Sequence, residues 1–80
     1  MFNRTKTLYE VIGWMDAENP QQPDSQSTWS RKTDAMQIAR NIKKTYNLVE
    51  VNRLTVTAWD ELDIHGCELL ASWTNHKKTC

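Results

Sequence analysis

Several features that would assign a protein to a specialised class are scarce or missing in this 80-residue chain. Its two cysteines are too few for a disulfide framework. No apolar run approaches the roughly 18 residues that are needed to span a bilayer. Neither sign of charge is in excess, because ten basic side chains balance ten acidic ones, and this removes the usual electrostatic argument for a nucleic-acid-binding protein. We therefore expect a cytoplasmic protein in a reducing setting, with no membrane partner.

A zinc site is the first chemistry to weigh, and the spacing of its candidate ligands argues against it. His65, Cys67, His76 and Cys80 provide two histidines and two cysteines, which form a known zinc ligand set. The alternating segment 67–74 is predicted to be a strand, however, and at roughly 3.3 Å per residue it separates Cys67 from His76 by about 30 Å. Because one metal ion cannot join ligands so far apart, we predict no metal site.

The pattern of an enzyme active site is also missing. Asp60, Glu61 and Asp63 lie in one short segment, but this segment lacks the arrangement of glycine and closing glutamate that defines a calcium-binding loop. No histidine or cysteine has a partner at a spacing that would make a nucleophile and a base. The sequence therefore predicts a non-enzymatic protein with no cofactor and no catalytic residue.

Tryptophan is what the chain has in abundance, with four in eighty residues. Trp14, Trp29, Trp59 and Trp73 each lie in or at the end of a segment that is predicted to be a β-strand. A large amphipathic ring loses little side-chain entropy when it is ordered, and it buries a large area. Such residues anchor either a small core or a binding surface, and their placement alone leaves both uses open.

The apolar pattern predicts a single domain over residues 1–80, with flexible ends at 1–6 and 75–80. Apart from one helix, its segments are a strand over 7–15, a long loop over 16–27, a short strand over 28–31, a strand over 48–59, an acidic turn over 60–66 and a strand over 67–74. The third of these strands is long enough that we expect a bulge or bend near Asn52.

The helix is predicted from a stripe of apolar residues at helical spacing. Its members are Ala35, Ile38, Ala39, Ile42 and Tyr46. Ser30 or Thr33 is expected to cap its start and Asn47 its end. The resulting order β(β)αββ places one helix across one face of a three- or four-stranded, mostly antiparallel sheet, which is an α+β fold.

One narrow helix covers only one face of such a sheet. The face beneath it is expected to carry Tyr9, Val11, Met15, Leu54, Val56, Ala58, Leu69, Ala71 and Trp73. The second face is then left with Leu8, Ile12, Trp14, Val51, Trp59 and Leu70, interleaved with Glu10, Arg53, Thr55, Thr57 and Glu68. A solvated sheet face normally shows clean polar alternation, so this excess of apolar surface indicates a patch that something covers. The cover is other parts of the same chain, a second copy or a foreign partner.

The first functional hypothesis is a protein that occupies a surface of another protein. Its candidate hydrophobic anchors are Trp14, Ile12, Trp59 and Leu70. Asp60, Glu61 and Asp63 form a candidate charged rim that steers a partner with a basic surface. A non-covalent homodimer at micromolar concentration is expected as well, weakened by Trp59→Ala or Leu70→Glu.

The alternative hypothesis is a small nucleic-acid-binding regulator that uses a basic helix face. Its candidate phosphate contacts are Arg31, Lys32, Arg40, Lys43 and Lys44. A solvated helix face with cations near the negative end of the helix dipole explains the same residues. The balanced net charge also counts against this hypothesis.

In general character the chain is similar to the small α+β proteins with which phages and other mobile elements block or retune host machinery, anti-CRISPR proteins being one group. The resemblance rests on small size, acidic turns, exposed aromatic residues and the lack of catalytic residues. It covers no aligned stretch and transfers no functional residue. It implies a class of activity, namely inhibition or regulation by binding a host protein.

Overall fold

The computed structural model of the protein describes residues 4–79, which form one α-helix and five β-strands. The elements are β1 (Thr5–Trp14), β2 (Ser25–Trp29), α1 (Lys32–Ile42), β3 (Leu48–Thr57), β4 (Asp60–Thr74) and β5 (Lys77–Lys78). Every strand pairing is antiparallel, and the order across the sheet is β2-β1-β3-β4-β5. The predicted single small α+β domain, with one helix on an antiparallel sheet, is confirmed, but the sheet has more strands than the three or four expected.

The strand boundaries differ from the prediction in two places. The second strand exists, but it begins at Ser25 and ends at Trp29 rather than occupying 28–31. The segment 60–66 is not a turn, because it forms the first half of β4, and only residues 58 and 59 make the turn. Aspartate and glutamate are poor strand formers, and residues 61–63 form a bulge without partners on β3, between the pairs Thr57–Asp60 and Val56–Ile64. Of the predicted flexible ends, residues 1–3 and 80 lie outside the described residues.

The fifth strand was not predicted, and it depends on a tight turn. Asn75 and His76 both have positive φ, at 51° and 71°, as a two-residue hairpin turn of type I′ requires. The turn returns the chain so that Lys77 and Lys78 pair with the end of β4. Asparagine tolerates this left-handed conformation better than most residues, whereas the His76 ring is positioned against the backbone carbonyl oxygen of Lys43.

The helix packs on the sheet through the predicted stripe. Ala35 and Ala39 are fully buried, and their small side chains let the helix lie close to the strands. Ile38, Ile42 and Tyr46 pack around them, as predicted. Among the described residues, no helix is both long and apolar enough to cross a membrane.

Neither end of the helix is capped in the predicted way. The N-cap residue is Arg31, without a side-chain hydrogen bond, rather than Ser30 or Thr33. The helix ends at Ile42, and the Asn47 amide instead donates a hydrogen bond to the Met15 carbonyl oxygen at 2.6 Å. Asn47 therefore ties the start of the loop after β1 to the segment after the helix.

The core beneath the helix corrects the predicted assignment of faces in β3. Val49 and Val51 pack with the helix and with Val11, whereas Leu54 and Val56 form a second cluster on the opposite face. Apolar residues occupy both alternation phases of this strand, so periodicity could not choose between them. A one-residue error of phase moves every side chain of a strand to the other face, and the prediction made that error.

An extra residue in β4 changes the faces of that strand as well. Val51 pairs with Ala71 and the next residue, Asn52, pairs with Leu69, so Leu70 is left between them as a bulge. We expected an irregularity near Asn52, and the structure places it there, with the extra residue on the partner strand. Leu69 therefore lies on the face opposite the helix, not beneath it as predicted.

Candidate protein-binding surface

The sheet extends well beyond the helix. Eleven helical residues span about 16 Å at 1.5 Å per residue, whereas the fifteen residues of β4 span about 50 Å at roughly 3.3 Å per residue. The helix contacts β1, β2 and β3, and the whole domain is elongated, with a longest dimension of 46 Å. We call residues 54–69, the end of the β3–β4 hairpin that projects past the helix, the hairpin arm. We call the part of the sheet beneath α1 the body.

Exposed hydrophobic side chains are concentrated on the hairpin arm. Trp59 is 62 % exposed, Leu62 92 %, Ile64 53 % and Leu69 44 %. The only other large hydrophobic side chain that is exposed among residues 4–79 is Met15, at the opposite end of β1. Isolated exposed leucines are ordinary on protein surfaces, but several on one projecting element indicate a contact surface.

A groove of about 230 Å³ lies where the start of β4 meets the face opposite the helix. Its lining residues are Leu8, Glu10, Gln26, Thr28, Leu54, Glu61, Leu62 and Ile64. Leu8 and Leu54, which are cross-strand partners, are nearly buried. The groove therefore combines buried leucine side chains with exposed walls, some of them apolar and some polar.

Acidic groups surround this groove, and several of them already have partners. Lys6 and Glu61 form an ion pair at 2.6 Å, and the Gln26 amide donates to a Glu10 carboxylate oxygen at 2.7 Å. Asp60 has no ion pair within residues 4–79, and its carboxylate accepts a hydrogen bond from the Leu62 backbone N–H. The tip of the hairpin arm therefore keeps an uncompensated negative charge at Asp60, next in sequence to Glu61, which lines the groove.

A hydroxyl, a carboxylate and an imidazole meet inside the hairpin arm. The Thr57 hydroxyl donates to the Asp63 carboxylate at 2.7 Å and lies 2.6 Å from His65 Nε2. Because the hydroxyl proton is directed to Asp63, the imidazole N–H must be the donor to Thr57 Oγ1. The cluster joins β3 to the irregular start of β4.

The predicted anchors do not form one patch. Trp14 pairs with Leu48 at one end of β1, whereas Thr5 pairs with Thr57 at the other. At roughly 3.3 Å per residue, Trp14 and the tip of the hairpin arm are about 30 Å apart. Trp59 and the three carboxylates of the predicted rim come together at that tip, whereas Ile12 and Trp14 lie on the body.

On the body, Ile12 and Trp14 are half-buried. The Trp14 indole N–H donates to the Gln21 carbonyl oxygen at 3.3 Å, so the loop between β1 and β2 contacts this ring. Leu70, the fourth predicted anchor, is also half-buried, at the bulge of β4. These three residues have less accessible apolar surface than the hairpin arm offers.

The predicted basic residues lie along the helix and just outside its two ends. Lys32, Met36 and Arg40 follow one another at four-residue spacing and line an open groove with Thr33 and Gln37. Arg31 precedes the helix, and Lys44 follows it and is exposed. Lys43 is less accessible than Lys44, and its carbonyl oxygen lies against His76.

Sequence reasoning missed Leu62, Ile64 and Leu69 as surface residues. The carboxylates around Leu62 and Ile64 suggested a turn, and the bulge at Leu70 reversed the face of Leu69. The useful signal was the alternation of acidic and apolar residues over 60–64, which is typical of a strand with one solvated face. Comparison with known protein families, with curated proteins and with solved structures finds no match for this chain.

Proposed function

We propose that this protein is a non-enzymatic protein-binding module that contacts its partner through the hairpin arm. One observation carries the proposal: four of the five large exposed hydrophobic side chains in residues 4–79 lie on this single element. Burying apolar side chains of this size yields about 1.5–3 kcal/mol each relative to leaving them exposed. A partner that buries these side chains would therefore gain free energy that folding of the chain alone does not provide.

The charge of the hairpin arm favours a partner with a basic surface. Arg53 and Lys6 already form ion pairs with Glu68 and Glu61, so they do not neutralise Asp60. A lysine or arginine of the partner can lay its aliphatic stem along Leu62 while its charged end approaches Asp60, because long basic side chains have both apolar and charged parts. Such a contact supplies affinity from the apolar groups and orientation from the charges.

The observations say less about the identity of the partner than about the surface that binds it. The general resemblance to small phage and mobile-element proteins supports a role as an inhibitor or regulator of a host protein. An acidic, apolar projection suits a target that normally binds nucleic acid, since such a target has a basic groove.

Affinity capture with paired variants tests the proposal. The wild-type chain, Trp59→Ala and Leu62→Ser are immobilised and exposed to host lysate, with Met15→Ala as the control because Met15 is exposed on the body. We expect one set of partners to be retained by wild type and Met15→Ala and lost with the two variants of the hairpin arm. Retention of the same partners by all four proteins would contradict the proposal. So would their loss with Met15→Ala alone.

A nucleic-acid-binding regulator is the second candidate, and the groove along the helix is the observation that favours it. Lys32 and Arg40 flank Met36 on one side of the helix, so two cations lie beside an apolar contact. Electrophoretic mobility shift at low and moderate salt separates the candidates, because phosphate contacts are strongly salt-dependent. This function predicts a shift that Lys32→Glu/Arg40→Glu abolishes, whereas identical behaviour of wild type and variant excludes it.

A further inference from the structure

A buried polar side chain, Asn52, lies on the face of the sheet opposite the helix, which we call the outer face. Val51 packs beneath the helix, and Leu54 belongs to the second cluster on the other side. Because side chains alternate along a strand, Asn52 shares the outer face with Leu54. Asn52 is only 8 % exposed, although asparagine is mostly exposed in proteins. The central residues of the outer face, which are cross-strand partners on β1 and β3, are Leu8, Glu10, Ile12, Glu50, Asn52 and Leu54.

Asn52 differs from the other buried polar side chains in having no partner. The Thr57 hydroxyl donates to Asp63, and the Ser72 hydroxyl accepts from Thr79. The Asn52 side-chain amide makes no hydrogen bond within residues 4–79. In that part of the chain, every side-chain N or O atom that is closed to solvent has a partner, so the Asn52 amide must open onto the outer face. Buried polar groups are nearly always hydrogen-bonded, and an amide left open in this way indicates a contact point for a ligand.

Two carboxylates beside Asn52 have no cation to pair with. Glu10 is its cross-strand partner on β1, and Glu50 lies two residues before it on β3, about 7–8 Å diagonally from Glu10. Both side chains are half-buried, and neither forms an ion pair within residues 4–79. The Gln26 amide that donates to Glu10 is neutral, so the negative charge of both groups is uncompensated. Two such carboxylates and an open amide fit a cation that has several N–H donors.

The groove on the outer face leads to these polar groups. Leu8 and Leu54 are paired directly, and the next pair on the same face is Glu10 with Asn52. Leu8, Leu54 and Glu10 all line the groove of about 230 Å³. Successive pairs on one face are about 7 Å apart, which is within the reach of one long side chain. A side chain with an aliphatic stem and a cationic end can therefore place its stem on the leucines and its end at the carboxylates.

We propose that this part of the outer face binds an arginine side chain of the partner protein. Its guanidinium donates to the Glu10 and Glu50 carboxylates and to the Asn52 side-chain oxygen. Its aliphatic stem lies along Leu8 and Leu54. Arginine fits better than lysine, because its planar group has five N–H donors in a fixed arrangement, whereas an ammonium group is a compact point charge. Charge-assisted hydrogen bonds to carboxylates are also the stronger kind.

The inference deepens the proposed function and rests on it in one respect, namely that the arginine belongs to the protein that the hairpin arm contacts. Leu54 is part of both surfaces, since it begins the hairpin arm and also lines the groove. The two claims can nevertheless fail separately. The arginine site is tested with a peptide and the chain alone, whereas contact through the hairpin arm is tested by capture with Trp59→Ala and Leu62→Ser.

Amide chemical-shift titration of the isotope-labelled chain with a blocked Gly-Arg-Gly peptide tests the site. We expect saturable shifts at Leu8, Glu10 and Asn52, including the Asn52 side-chain amide. The dissociation constant should be on the order of a millimolar, because a single side chain provides the contacts. The same peptide with citrulline, which has the shape of arginine without its charge, should not bind detectably. With lysine in place of arginine the constant should rise about threefold or more.

Removing either carboxylate should weaken binding of the arginine peptide. Glu10→Gln and Glu50→Gln should each raise the dissociation constant about fivefold or more, since each removes a charged acceptor. Glu18→Gln is the matched control, because it changes the net charge equally and lies exposed in the loop between β1 and β2. It should leave the constant within about twofold, since a distant exposed charge is screened by salt. Circular dichroism of each variant establishes that it is folded.

Asn52→Val separates a role in binding from a role in the fold. Valine is close to asparagine in size and favours strands. The variant should therefore keep or raise the midpoint of thermal unfolding, while the dissociation constant for the arginine peptide rises about threefold or more. A lower midpoint together with unchanged peptide binding would show that Asn52 serves the fold and would contradict the inference.

The remaining outcomes of the titration are equally decisive. The absence of shifts on the outer face with the arginine peptide, or equal binding of the citrulline or lysine peptide, would overturn the inference. If the arginine peptide does not bind but capture of partners still depends on Trp59 and Leu62, this inference alone fails. If the peptide binds as expected but the variants of the hairpin arm retain every partner, the proposed function fails and the arginine site stands.

Discussion

The body and the hairpin arm are made from the same strands, yet they use their apolar residues in opposite ways. In the body, the helix covers Val11, Val49 and Val51, and all three are completely buried. In the hairpin arm, Leu54 and Val56 are buried in the second cluster, but Trp59, Leu62, Ile64 and Leu69 remain exposed. A domain of this size depends on nearly every large apolar side chain for stability. We propose that the exposed side chains of the hairpin arm serve an interaction. On that proposal, residues needed for stability lie mainly in the body and residues needed for recognition lie in the hairpin arm.

Two tryptophans provide the largest expected difference. Trp73 is 4 % exposed in the body and packs in the main core. Trp73→Ala should lower the free energy of unfolding by about 3–5 kcal/mol, the usual cost of truncating a buried aromatic residue. Trp59→Ala should change it by less than about 0.5 kcal/mol, because the side chain is mostly exposed. Urea denaturation followed by circular dichroism measures both, and similar losses for the two variants would contradict the comparison.

Two leucines of the hairpin arm, Leu54 and Leu62, should differ in how much they contribute to the free energy of unfolding. Leu54 lies with Leu8 and Val56 in the second buried cluster, so Leu54→Ala should cost about 2–3 kcal/mol, near the low end for buried leucines. Leu62→Ala should be nearly neutral, since Leu62 is almost fully exposed. Thermal unfolding monitored at low protein concentration gives the result without a contribution from association. A large loss with Leu62→Ala would mean that the groove is part of the core.

The two glycines are a matched pair, one in each region. A Cβ atom at Gly13 would lie 3.0 Å from Tyr46 Cγ and 3.4 Å from Ile42 Cδ1, whereas one at Gly66 would meet only Thr55, at 3.8 Å. Gly13→Val should therefore lower the free energy of unfolding by about 1–3 kcal/mol, because the body is closely packed at that point. Gly66→Val should be neutral or slightly stabilising, since valine favours strands. Equal effects in chemical denaturation would argue against a helix seated this close to β1.

The smallest expected effect belongs to the ion pair between Arg53 and Glu68. Both side chains are about half exposed, and exposed ion pairs contribute roughly 0–1 kcal/mol. Arg53→Gln should lower stability by no more than about 0.5 kcal/mol, and raising the salt concentration should reduce even that difference. A double-mutant cycle with Glu68→Gln isolates the contribution of the pair. A coupling energy of several kcal/mol would show that the hairpin arm depends on charge for its structure.

The body was more predictable from sequence than the hairpin arm, for a physical reason. The apolar residues from Ala35 to Tyr46 recur at helical spacing on one side of the helix. The side of the helix that packs on the sheet could therefore be predicted from the sequence. In β3, both alternation phases are apolar, and the pattern could not say whether Val51 or Leu54 faces the helix. The bulge at Leu70 is an insertion relative to β3 that no local residue preference marks. The hairpin arm depends on such long-range features, and its surface residues were assigned incompletely for that reason.

The central claim is that the exposed side chains of the hairpin arm serve recognition and not the fold. It is tested most directly by the triple variant Trp59→Ser/Leu62→Ser/Ile64→Ser. Its free energy of unfolding is measured by urea denaturation at about 1 µM, where self-association is minimal, alongside capture of the wild-type partners. We predict that stability falls by less than about 1.5 kcal/mol in total while partner binding is lost. A loss of about 4 kcal/mol or more, or unchanged partner binding by the folded variant, would contradict the claim.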